Sequence, residues 1–222
     1  MNVRPIPFNP AMVRALLAGR KTQTRRVLTK LTGFGKITEF GPSDTPAFDW
    51  HFRDREMLWH DLQDADLRKA LPYSVGDLLY VREEHWAVSI GKVIKRLVTI
   101  AFKADGATID DAWPDRCVFP TVGVRRAPMH LPREFSRLTL RVTEVRVQRV
   151  QAINDADALE EGVDRTNASI RGYATKRFGW LWDSINAQRG FGWEANPWVV
   201  AVSFEVIREN VDTVLAREAT DG

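Results

Sequence analysis

The run Met12-Val13-Arg14-Ala15-Leu16-Leu17-Ala18-Gly19-Arg20-Lys21-Thr22-Gln23-Thr24-Arg25-Arg26-Val27 changes character at one glycine. Before it, Met12, Val13, Leu16 and Leu17 recur at helical spacing and make a single apolar stripe. Pro10 suits the first position of that helix, where a missing N–H costs nothing. Gly19 falls where the helix ends and the backbone needs positive φ. Lys21 is therefore predicted in a loop directly behind a helix. Thr22 to Val27, with two β-branched threonines, reads as a strand.

Working outward, Ser74-Val75-Gly76-Asp77 reads as a turn, and Leu78 to Trp86 as a strand with Leu79 and Val81 on one face. Val98, Ile100 and Phe102 alternate as a further strand. Leu138, Leu140 and Val142 alternate too, and the pattern then slips by one to Val145 and Val147. Such a slip predicts a bulge or bend near Thr143. Asn154 is placed to cap a short helix running to Glu161, with Gly162 as its stop. Tyr173 to Asn186 carries Phe178, Leu181, Trp182 and Ile185 at helical spacing. Trp198, Val200, Val202, Phe204 and Val206 form the clearest strand.

Gly33, Gly35, Gly41, Pro42 and Pro46 break up residues 31–72, yet Trp50, Phe52, Leu58 and Trp59 are too apolar for a linker. An insertion packed on the domain is predicted there, with a helix over Leu62 to Ala70. Several strands, one bend and few helices predict an α+β fold, a small barrel flanked by helices. No repeat or low-complexity stretch divides the chain. Residues 1–208 read as one domain, and 209–222 as a C-terminal tail, a surface helix.

The 222 residues suffice for a buried core, and 44% hydrophobic with 27% charged residues excludes wholesale disorder. A net charge of +3 does not by itself demand a nucleic-acid partner. The distribution says more. Arg20, Lys21, Arg25, Arg26, Lys30 and Lys36 cluster without an intervening acid, and an acidic stretch from Asp44 to Asp66 follows. Cys117 is the only cysteine, so no intramolecular disulfide is possible, which fits a reducing, cytoplasmic location. No signal-like core or membrane-length apolar run appears.

His51, His60, His85, His130 and Cys117 match no zinc spacing, and no metal is expected. Asp155 and Asp157 suit a helix N-terminus better than a cation. No phosphate-binding glycine loop and no nucleophile elbow is present. Trp86, at the end of its predicted strand, could stack on a base. Glu83, beside it, could read an amino group, pair with Lys21, or form a plain ion pair.

Several strings taken together resemble a known family. They are Met12 to Arg26, Val75-Gly76-Asp77-Leu78-Leu79-Tyr80-Val81-Arg82-Glu83, His130-Leu131-Pro132-Arg133, Leu181-Trp182-Asp183-Ser184-Ile185-Asn186 and Asn196-Pro197-Trp198-Val199. The set resembles the ASCH domain family of the PUA-like superfamily, and is most similar to its longer members, often encoded by phages and prophages. The resemblance implies a β-barrel with a cleft beside the first helix. It also implies a partner that is a nucleoside, a modified base or RNA.

The compact bacterial members that deacetylate N4-acetylcytidine carry the same Gly-Arg-Lys-Thr-x-Thr string. By that resemblance Lys21 and Thr24 are catalytic, and an acid at the end of the short helix is Glu161, with Glu160 the near alternative. Amide hydrolysis of this kind needs no cofactor. A threonine hydroxyl is a weak nucleophile until a base takes its proton, and a lysine serves as base only where burial or neighbouring cations lower its pKa. In a flat strand Lys21 and Thr24 would face opposite sides, so the chemistry requires irregular backbone after Gly19. Arg20, Arg25 and Arg26 would bind substrate or stabilise an oxyanion. Two other readings stay open: a non-catalytic module binding RNA or a modified nucleotide in the same basic cleft, and a ribonuclease.

Overall fold

The computed structural model describes residues 1–91, 96–166 and 170–221. Gly222, the last residue of the expected tail, lies outside them. In chain order the elements are β1 (Val3–Pro7), α1 (Pro10–Leu17), β2 (Gln23–Val27), β3 (Lys30–Leu31), β4 (Gly35–Pro42), β5 (Trp50–Asp54), β6 (Trp59–Leu62) and α2 (Asp64–Ala70). There follow β7 (Leu78–Arg82), β8 (His85–Ile90), β9 (Leu97–Phe102), β10 (Thr108–Ala112), β11 (Arg125–Arg126) and β12 (Thr139–Arg149). The last are α3 (Asp155–Glu160), α4 (Tyr173–Asn186), β13 (Trp198–Ile207) and α5 (Val211–Asp221). The class is α+β. The chain divides into two compact units: Met1–Thr22 with Gly76–Arg141 and Phe204–Gly222, and Gln23–Val75 with Val142–Ser203.

In the first unit β7 is central. It runs parallel to β1, from Val3 opposite Leu78 to Pro7 opposite Arg82, and antiparallel to the start of β12, with Thr139 opposite Tyr80. Four successive residues, Leu78 to Val81, are buried, as a strand covered on both faces requires. The Asp77 carboxylate accepts from the Asn2 N–H at 2.7 Å and fixes the start of β1 beside it. The predicted strand from Leu78 to Trp86 proves to be two, interrupted at Glu83 and Glu84. The second of them, β8, belongs to an antiparallel sheet ordered β10-β9-β8-β11. That sheet covers a core of Val98, Ile100, Phe102, Trp113, Leu131 and Phe135. The tail forms the expected helix with most side chains exposed, and α5 is anchored by Val211 and Val214, which are completely buried in one cluster with Leu78 and Tyr80.

In the second unit β2 pairs antiparallel with β13, Thr24 opposite Val202. Residues 30–62, unreadable in the sequence, form an antiparallel sheet ordered β3-β4-β5-β6, with a register shift between Ile37 and Glu39. Its aromatic residues pack on one another. Phe52 stacks on His60 at 4.9 Å, Phe40 stacks on Trp50 at 5.2 Å, and Trp198 meets both members of the latter pair edge-on. Much of the acidic stretch serves its turns. Asp54 accepts from the N–H groups of Glu56 and Leu58, Asp61 from the hydroxyls of Ser43 and Thr45, and Asp49 from the Asp64 N–H.

Helices α3 and α4 enclose a core of Val150, Ile153, Ala158, Phe178, Trp182 and Val199. Asn154 caps α3 as predicted, accepting from the Asp157 N–H at 2.8 Å. Asp155 caps the next helix instead. Its carboxylate accepts from the Thr175 N–H and hydroxyl, each at 2.9 Å, and from the Gly172 N–H. Those bonds, the backbone one from Thr175 foremost, hold its carboxyl below the usual range. In neither unit do the described strands pair into a closed barrel. No helix among the described residues is long and apolar enough to cross a membrane.

Candidate functional site

Helix α1 begins as its sequence dictates. The Asn9 side chain accepts from the Met12 N–H at 2.9 Å, and Pro10 follows. It ends at Gly19, whose φ of +67° is strained for any side chain. The N–H groups of Arg20 and Lys21 then both turn back to the Ala15 carbonyl, at 2.9 and 3.2 Å. The backbone from Gly19 to Thr22 is irregular, and regular strand begins only at Gln23. Lys21 is 0% exposed. Within its unit, its ammonium lies 5.5 Å from the centre of the Phe8 ring.

Three consecutive polar residues open β2, and Gln23, Thr24 and Arg25 are all buried. Buried polar groups are tolerable only when hydrogen-bonded. Arg25, 3% exposed, donates from Nη2 to Asp157 at 2.8 Å and from Nη1 to Glu161 at 3.1 Å. It also donates to the Gln23 side-chain carbonyl, and its guanidinium lies 5.8 Å from the centre of the Phe178 ring. Asp157 and Glu161 stand four residues apart, so the helical turn of α3 and its cap presents both to one partner. The Gln23 amide donates to Asp157, Glu160 and Ser203 at 3.4, 3.3 and 3.1 Å. Arg146 reaches Asp157 from β12 at 3.4 Å.

This network separates the two candidate acids. Glu161 is 4% exposed and paired with Arg25, whereas Glu160 is exposed and bonded to Gln23. Arg25 lies within the network rather than on a surface open to a phosphate. Arg26 and Arg20 are each half-buried, Arg26 opposite Val200 in the sheet and Arg20 at the end of α1.

Glu83 lies in the break between β7 and β8, and Trp86 is the second residue of β8. Arg137 grips Glu83 with two parallel bonds at 2.9 and 2.8 Å, and holds Asp105 at 2.8 and 3.0 Å. Burial pushes the Glu83 carboxyl up against the pull of Arg137. Burial also raises that of Asp105, but bonds from Arg137 and the Ala107 N–H outweigh it and leave it low. Of the roles open to Glu83, the plain ion pair is the one seen within its unit. Trp86 is half-buried, with the Arg125 guanidinium 5.9 Å from its ring centre.

Sequence reading assigned Asp157 to the helix dipole and passed over Gln23, Arg146 and Ser203. The four-residue spacing of Asp157 and Glu161 was the available signal. Nothing marked Arg146 or Ser203, because the fold alone brings their strands to α3.

No family model matches the chain, and no curated protein matches it. Among solved structures it is similar to protein EF3133 of Enterococcus faecalis V583, described under the family-model name DUF984. The two share 11% identity over 95% of this chain and 83% of that one, with a TM-score of 0.38. A likeness so distant bears on neither family nor activity.

Proposed function

We propose that the chain is an amidohydrolase acting on an N4-acylated cytidine-like nucleoside or base. The reading rests on the resemblance of the Gly19-Arg20-Lys21-Thr22-Gln23-Thr24 string to the ASCH deacetylases. One observation supports it. Lys21, Thr24 and Glu161 are 0%, 1% and 4% exposed, although two of the three carry ionisable groups that water would solvate far better. Such groups are buried in ion-pair networks and in reaction sites alike.

In this reading the Lys21 amine takes the proton of the Thr24 hydroxyl, and the oxygen attacks the acyl carbonyl. Protonation of the cytidine nitrogen, by Lys21 or Glu161, lets the amine depart. Water then hydrolyses the acyl-threonine ester and restores the hydroxyl. Arg25 would hold Glu161 in place.

The test is release of cytidine from N4-acetylcytidine by the parent, Lys21→Met, Thr24→Val and Thr24→Ser, each first shown to be folded by circular dichroism. The parent and Thr24→Ser are expected to turn over. Thr24→Val, which keeps the shape and loses the hydroxyl, should fall by at least about a hundredfold, in the range of a lost nucleophile or base. A folded parent that releases no cytidine would point to the non-catalytic binding module, and equal rates for Thr24→Val and the parent would remove Thr24 from the mechanism.

A further inference from the structure

The string His130-Leu131-Pro132-Arg133 plays no part in that chemistry, yet three of its residues line a cleft of about 210 Å³ in the first unit. Its polar lining is one-sided. Arg82, Arg126, His130, Trp113 and Cys117 line it, and no carboxylate is among the lining residues.

Neither arginine is neutralised by a carboxylate among the described residues. Arg82 donates to the Met129 carbonyl at 3.0 Å and the Tyr80 hydroxyl at 3.1 Å, and its Nε is buried with no partner. Arg126 donates to the carbonyls of Val118 and Phe119 at 3.2 and 3.1 Å. These acceptors are neutral, so they orient the guanidinium groups and leave their charge in place. Trp113 is 2% exposed, and its indole N–H is buried with no acceptor. A buried donor without an acceptor costs about 1–3 kcal/mol and calls for an explanation. His85, buried nearby in β8, reports the same field. Its pKa is lowered first by burial and then by the charges of Arg126 and His130.

We propose that this cleft binds a phosphate group, either free phosphate or the monoester end of a nucleotide. The lining carries two guanidinium charges and no carboxylate, so the ligand it suits is an anion. Two arginines match the near-double negative charge of a phosphate monoester at neutral pH, and the guanidinium fork suits its oxygens. A nucleoside attached to the phosphate would extend over Val118 and Met129, which line the cleft and are exposed. The inference is independent of the amidohydrolase reading, since none of these residues belongs to the Lys21, Thr24 and Glu161 set.

The experiment is calorimetric titration of the full chain with inorganic phosphate, a nucleoside 5′-monophosphate and acetate, at constant ionic strength set with chloride. Saturable phosphate binding with a sub-millimolar Kd is expected, with acetate at least tenfold weaker. Tighter binding of the nucleotide would identify an ester as the source, and equal binding free phosphate. Arg126→Gln, which removes one of the two guanidinium charges, and His130→Gln, on an exposed side chain, are each expected to weaken binding several-fold with the fold intact. No saturable phosphate binding, equal binding of acetate, or unchanged affinity in both variants would overturn the proposal.

Discussion

Arg25 shows what a single side chain commits a fold to. It carries one positive charge into a place that is 3% exposed and meets two carboxylates there. Removing one partner of such a set leaves buried charge uncompensated, at a cost of about 3–5 kcal/mol. Arg25→Met is therefore expected to lower the unfolding free energy by about that amount in urea titration. Loss below about 1 kcal/mol would mean that Asp157 and Glu161 find water or another cation. His85 acts in the opposite sense. It is fully buried, its Nδ1 lies 3.0 Å from the Glu83 carbonyl, and burial depresses its pKa. The unfolded chain, with an ordinary imidazole near ~6.5, takes up the proton more readily. Stability is then complete above that pH and declines as the pH falls below it. Between pH 7.5 and 5 the urea midpoint of the parent should fall more steeply than that of His85→Asn. Parallel slopes would show that His85 titrates alike in both states.

At the scale of elements, legibility followed how local the cause was. Helix α4 came out with both ends as read, because its stripe of Phe178 and Trp182 and its flanking glycines lie within a few turns. Strand β13 was legible because alternation persists from Trp198 to Val206. The break at Glu83 and Glu84 was not, since it depends on Arg137, over fifty residues away, holding Glu83. Strands β3 to β6 were hidden by the glycines and prolines at their turns, and by a register that only their pairing defines. Helix α5 was read as a surface helix, and nothing local singled out its two valines, Val211 and Val214, as anchors. Those valines are wholly buried, and Asn210 donates to the carbonyls of Arg133, Glu134 and Ser136 at 2.9, 3.0 and 2.8 Å. Ending the chain at Arg208 should therefore destabilise the first unit. Two buried valines at about 1.5–3 kcal/mol each set a loss of roughly 3 kcal/mol or more. Thermal unfolding of the shortened chain measures it, and an unchanged Tm would show that α5 is dispensable.

On the scale of the whole molecule, the sequence offered no sign of two units. Composition shifts and linkers mark domains that follow one another along the chain. Here the boundaries fall between Thr22 and Gln23, between Val75 and Gly76 in the turn before β7, between Arg141 and Val142 inside β12, and between Ser203 and Phe204 inside β13. Those boundaries lie in or next to strands, where composition has no reason to change. The same division parts the candidate residues, with Lys21, Glu83 and Trp86 in one unit and Thr24, Arg25 and Glu161 in the other.

The interleaving also sets an order of assembly on the ribosome, where the N-terminal end emerges first. The second unit has all its residues once Ser203 has been made. The first holds the earliest strand, β1, yet its core stays open until α5 follows. Throughout that interval Leu78 and Tyr80 lack the valines that cover them.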